Sequence, residues 1–205
     1  MKNSLIRPIS LFVFSCVVSI GTLLFYNIPF FNYVVNNTNE NVGGKIVLLV
    51  SLVVIMLALN FMMTYLVMFF MRIVGRILLA ILSLINATAV YFIFTYGVMM
   101  NATTIENVFN TRYSEASGFF SWSLWLFIIV FGVLPALFCL LQPVVFGALK
   151  KLGVYCGSAL AVVLVMALVN INQTLWIGQH DTELGGLLQP WSYIVNTMRI
   201  TSDQM

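Results

Sequence analysis

Asn107, Thr111 and Glu115 stand four residues apart in the stretch NATTIENVFNTRYSEASG, residues 101–118. On a helix that spacing aligns them in one polar stripe. Glu115 is a carboxylate able to hold an ammonium, while Asn107, Thr111 and the neighbouring Arg112 carry donors for phosphate oxygens. Such a set suits a zwitterionic lipid headgroup. Taken alone, the stripe reads more readily as the solvated face of an amphipathic helix, because Ile105, Val108 and Phe109 fall on the opposite side. Thr103-Thr104-Ile105-Glu106 has the form of a capping box, which predicts a helix that begins near Thr104 and ends by Gly118. Its apolar side would lie down on a membrane.

Other chemistry is sparse. His180 is the single histidine, so neither a histidine-based metal cluster nor an HExxH site can be assembled. Its plainest reading is a surface histidine beside Asp181. The sequence contains no P-loop, GxGxxG or GxSxG pattern. No catalytic residue and no metal ligand is assigned in this chain, and the charge pattern calls for no nucleic-acid partner. Cys16, Cys139 and Cys156 lie in or beside hydrophobic runs, where a thiol behaves as a small apolar group.

The elements that must position the stripe are membrane elements. Of the 205 residues, 61% are hydrophobic and 7% charged, and the mean hydropathy is +1.04; the bilayer is the solvent for most of this chain. Uncharged runs long enough to span it lie at about 9–25, 46–70, 77–98, 122–141 and 152–170. The first has a basic start but no A-x-A-like exit, so it reads as an uncleaved helix. With alternating segments, Lys2, Arg7, Arg72, Arg76, Lys150 and Lys151 share one side. The other side holds Lys45, Arg112 and Arg199, and all six acids: Glu40, Glu106, Glu115, Asp181, Glu183 and Asp203. The positive-inside rule then places the N-terminus in and the C-terminus out. The expected fold is an all-α integral membrane domain over residues 1–172. It has five transmembrane helices with short periplasmic amphipathic helices, followed at 173–205 by an interfacial or linker segment.

Within that frame, residues 28–45 predict an outer connection with an aromatic cluster and an Asn/Gly-rich turn. Asn36-Asn37-Thr38 there matches a glycosylation pattern short enough to arise by chance. Arg72 and Arg76 around Gly75 predict a tight antiparallel hairpin. Asn60, Thr64, Ser83, Asn86 and Thr88 are expected to hydrogen-bond between helices, each contributing ~0.6 kcal/mol. No charged residue lies within the spans, which argues against a channel, pump or proton-coupled carrier. Gly132 and Pro135 predict a kink whose freed carbonyl a neighbour must satisfy, with Trp122 and Trp125 at the outer end in the aromatic belt. Trp191, Ile194, Val195 and Met198 follow Pro190 at i, i+3, i+4 and i+7, the stripe of a second interfacial helix.

Thr95-Tyr96-Gly97, then Thr104, Asn107, Thr111 and the Ala-flanked Glu115, then Gly132-Val133-Leu134-Pro135-Ala136-Leu137, resemble the N-terminal membrane domain of the lipid A phosphoethanolamine transferases. That family includes the mobile colistin-resistance enzymes. The resemblance implies a bacterial inner-membrane anchor with a periplasmic C-terminus, leading to a zinc-dependent catalytic domain of alkaline-phosphatase-like fold with a threonine nucleophile. In such a protein phosphatidylethanolamine is the donor and lipid A the acceptor, and the outcome is polymyxin resistance. It also implies that Asn107, Thr111 and Glu115 contact the donor headgroup. The segment His180-Asp181-Thr182-Glu183-Leu184-Gly185 departs from the family's HKELR by lacking its basic residues. Because the nucleophile and zinc ligands are absent from these 205 residues, the expectation is a truncated domain that binds lipid but is inactive alone. The alternatives are the anchor of a phosphoglycerol transferase of the lipoteichoic acid synthase type, or a non-catalytic membrane scaffold.

Overall fold

The computed structural model describes residues 7–38, 40–110 and 121–203. The described part is all-α apart from one bridge, in which β1 (Ile9–Ser10) pairs in parallel with β2 (Val144–Val145). Ser10 then caps α1 (Leu11–Tyr26) by accepting from the Val13 N–H. After Asn27 the chain bends by 57° into α2 (Ile28–Asn37), with a proline in its first turn. The aromatic part of the expected outer connection is therefore helical, because Pro29 is pre-set for a helix start and removes no needed donor there. Asn41 caps α3 (Val42–Tyr96) through its side chain.

A straight α3 of 55 residues would run ~80 Å, far beyond a ~30 Å hydrocarbon layer. It is not straight. Arg72 takes φ 39°, ψ −98°, a left-handed conformation that a non-glycine residue adopts only under constraint. A Cβ on Gly75 would lie 2.9 Å from the Val67 carbonyl oxygen, although eight residues of straight helix separate such positions by ~12 Å. The chain thus folds back on itself at Arg72, as the Arg72, Gly75 and Arg76 pattern predicts. Arg72 lies over the Phe146 ring at 5.2 Å and Arg76 Nη1 donates to the Leu140 carbonyl at 3.5 Å, which tie the turn to the start of the next connection. Because the Gly75 contact is with backbone, Gly75→Ala is expected to cost about 1–3 kcal/mol, read as a lowered unfolding temperature in detergent.

The fourth hydrophobic run is α5 (Trp122–Leu141), which contains a π-helical turn at Ile129–Val133. Pro135 cannot donate to the carbonyl four residues earlier, that of Phe131. The Tyr26 hydroxyl donates to that oxygen, so α1 supplies the partner the kink requires. A Cβ on the buried Gly132 would come within 3.2 Å of both Ala87 and Leu84; the bend lets α5 approach α3 closely. The fifth run is α6 (Leu149–Val169). Helices α1, α5 and α6 all pack on α3. Among the described residues three helices are long and apolar enough to cross a membrane, namely α3, α5 and α6, and a fourth crossing arises if the bent pair α1 and α2 counts as one.

Buried residues form clusters at both ends of this assembly. Leu11, Phe14, Tyr65, Met68, Leu79, Cys139 and Leu152 pack near the Arg72 turn. Phe30, Val34, Leu48, Met56, Ile93, Leu184 and Leu187 pack at the opposite end, under a cap made by α2 and by α7 (Thr174–Gln179), α8 (Asp181–Leu187) and α9 (Trp191–Asp203).

Candidate functional site

The candidate stripe belongs to the cap. Gly97 ends α3 in the left-handed conformation, φ 66°, a position that glycine fills without a Cβ penalty. A short extended run leads to α4 (Ala102–Asn110). The expected capping box is replaced by a cap two residues earlier: Asn101 Oδ1 accepts from the Thr104 N–H at 2.9 Å. Asparagine is at least as good a cap as threonine, so the helix starts at Ala102 rather than near Thr104. Ile105 is buried and α4 packs on α9.

Asn107 is exposed on α4. Thr111, Arg112 and Glu115 lie outside the described residues, as does the expected helix end at Gly118. The structure thus places one of the three stripe residues.

Asn60 and Asn86 hydrogen-bond between helices, as expected, and the partner helix is the C-terminal α9. Trp191 Nε1 donates to Asn60 Oδ1 at 3.2 Å, and the Tyr193 hydroxyl donates to Asn86 Oδ1 at 2.7 Å. Ser83 and Thr88 donate to carbonyls of their own helix. Asn27, fully buried at the α1/α2 bend, closes a two-way pair with the backbone of Gln189: its Nδ2 donates to the Gln189 carbonyl and its Oδ1 accepts from the Gln189 N–H, each at 3.0 Å. Residues 191–198 are helical, as their spacing predicts, and α9 also binds the bundle. Trp191 and Tyr193 turn toward the bundle and Ser192 is buried, while Val195 and Met198 stay exposed. The buried side-chain oxygens of Asn60 and Asn86 need polar partners, and Trp191 and Tyr193 of α9 supply them.

On the far flank of residues 111–120, the Tyr91 hydroxyl sits 2.8 Å from both the Ser121 and Ser123 hydroxyls, which are 2.9 Å apart. Ser121 also caps α5. This closed ring ties α3 to the start of α5. Tyr91→Phe is expected to lower the unfolding temperature by about 2–4 °C, the scale of one lost net hydrogen bond in a chain of this size. Differential scanning fluorimetry in detergent checks it.

His180 is half-buried rather than a plain surface group. Its ring stacks on Trp176 at 4.7 Å and meets Tyr33 edge-on at 6.0 Å, with Nδ1 2.9 Å from the Trp176 carbonyl oxygen. Trp176 Nε1 in turn donates to the Asn37 carbonyl, so this aromatic group joins α7 to α2. Burial, and then the Glu183 carboxylate, push the Tyr33 phenol above its usual value. Among the described residues no three His, Cys, Asp or Glu side chains gather as a metal site.

The acid-bearing elements meet at this one end. Glu106 is on α4 and Asp181 and Glu183 are on α8, with Glu40 just before α3, and α4 touches α9 while α8 touches α2 and α9. Arg72, Arg76, Lys150 and Lys151 belong to the other end. There the Arg72 turn meets Phe146 and Leu140.

Comparison with known proteins identifies the family and the fold. A family profile described as phosphoethanolamine transferase EptA/EptB matches residues 55–205. The phosphoethanolamine transferase EptA of Helicobacter pylori is 28% identical over 201 residues, an alignment covering 96% of this chain and 37% of the relative. The solved structure of the integral membrane lipooligosaccharide phosphoethanolamine transferase A (EptA) from Neisseria meningitidis superposes with a TM-score of 0.86. That match has 19% identity and covers 97% of this chain and 37% of that one, so it speaks to the fold. The chain spans little more than a third of the length of either. With three quarters of its residues inside the matching profile, the chain belongs to the EptA/EptB phosphoethanolamine transferase family and corresponds to its N-terminal membrane domain.

Proposed function

We propose that this chain is the membrane anchor and lipid-binding domain of an enzyme that moves phosphoethanolamine from phosphatidylethanolamine to lipid A. The observation that carries the reading is α4, a polar-faced helix capped by Asn101 and seated on α9 with Asn107 exposed, inside the part matched by the family profile. Counting the two arms of α3 separately, with α1, α5 and α6, gives five crossings. The basic Arg72 turn and Lys150–Lys151 then face the cytoplasm and the acid-rich cap faces the periplasm, in the bacterial inner membrane.

In this reading the Glu115 carboxylate accepts from the donor's ammonium, and Asn107 and Thr111 donate to its phosphate. The chain binds and orients a headgroup, and α9 leads toward a catalytic domain outside this sequence. Zinc would belong to that catalytic domain. In a strain lacking other such transferases, the full-length protein is expected to add phosphoethanolamine to lipid A and to raise polymyxin resistance. Lipid A of unchanged mass would overturn the proposal.

A further inference from the structure

Met100, the residue before the Asn101 cap, has both backbone groups held by the C-terminal segment. Its N–H donates to the Gly186 carbonyl at 3.0 Å, and its carbonyl accepts from Asn196 Nδ2 at 2.9 Å. The same Nδ2 donates to the Ser192 carbonyl one turn back on α9, so the amide is fixed between two acceptors. A Cβ on the buried Gly186 would lie 3.2 Å from Met99 Cβ and 3.6 Å from Met100 N; this approach of two backbones has little room for a side chain. The segment that grips Met100 is itself anchored in the bundle through Asn27, Asn60 and Asn86.

We infer that Asn196, with Gly186, is a positioning residue for the headgroup-binding helix: the clasp on Met100 fixes where α4 starts and therefore where its polar face points. The inference rests on the donor-site reading of Asn107, Thr111 and Glu115. Neither residue touches lipid in it. Each acts through the Met99-Met100-Asn101 backbone, which a helix of two to three turns cannot orient for itself. The C-terminal segment thereby couples two things: how α9 sits in the bundle, and how well the donor is held.

The test places the whole 205-residue chain in phosphatidylglycerol nanodiscs doped with phosphatidylethanolamine and reads, by native mass spectrometry, the ratio of the two lipids retained. Asn196→Ala is expected to lower the phosphatidylethanolamine preference about fivefold, the scale of one positioning hydrogen bond. Asn196→Gln, which keeps an amide donor, is expected to retain it. Gly186→Ala gives an independent variant, expected to lose preference in the same direction. Equal loss of both lipids, or an unchanged ratio in Asn196→Ala and Gly186→Ala, overturns the clasp. Glu115→Ala is measured alongside. If it lowers the preference and the clasp variants do not, the clasp alone falls; if it leaves the preference intact, the donor-site reading falls and takes the clasp's role with it.

Discussion

Replacing Glu115 by alanine is expected to lower phosphoethanolamine transfer by the full-length enzyme about 10- to 100-fold, the worth of one hydrogen bond to a charged group. Insertion and unfolding temperature should stay at the wild-type value. The carboxylate is the one negative charge on the stripe, and it alone can distinguish an ammonium headgroup from a glycerol one. Glu115→Gln should therefore lose nearly as much as Glu115→Ala. Asn107→Ala and Thr111→Ala remove neutral donors to an anionic phosphate, and each is expected to cost somewhat less. Mass spectrometry of lipid A reads the outcome. Unchanged modification in Glu115→Ala would remove the site assignment.

The largest effect on stability is expected at Asn27, where the donor site itself is untouched. Its side chain makes both hydrogen bonds of a two-way pair with the Gln189 backbone, and both residues are fully buried. Asn27→Ala leaves a buried backbone N–H and a buried carbonyl without those partners, at an expected cost of about 2–4 kcal/mol. That is more than the ~0.6 kcal/mol typical of a single polar contact within a membrane protein, because two buried groups are orphaned at once. Reduced unfolding temperature, together with earlier proteolysis near residues 185–195, is the expected signature. A Asn27→Ala protein as stable as the parent would show that Gln189 finds other partners.

Several of these features were legible in the sequence for physical reasons. Hydrophobic run length marked the helices. The Arg72, Gly75 and Arg76 spacing marked the fold-back, and Pro135 marked both the kink and the need for a donor to Phe131, which Tyr26 meets. Other features depend on contacts between segments far apart in the chain. Asn60 and Asn86 read as groups that bond between helices, but which helix they bond was not legible: Trp191 and Tyr193 lie more than a hundred residues later. A signal was present all the same. Asn60 and Asn86 stand at similar distances on either side of Arg72, so a hairpin brings them to one depth, and two amides at one depth call for a common partner. The apolar stripe of residues 191–198 marked a helix, but amphipathicity gives no sign of the hydrogen bonds that Trp191 and Tyr193 make to the bundle's amides. At α4 the choice between Asn101 and Thr103 as cap was a contest between two good capping residues, which local propensity does not decide. The stripe alone favours a solvated face, and it is the family resemblance that argues for a binding one.

The central claim, that this domain selects an ethanolamine headgroup, is tested most directly by donor identity. The full-length enzyme in inner-membrane vesicles is offered phosphatidylethanolamine labelled in its ethanolamine and, separately, phosphatidylglycerol labelled in its headgroup glycerol. Label from ethanolamine is expected to appear in lipid A and label from glycerol is not. Transfer of glycerophosphate instead, or of neither label, would contradict it.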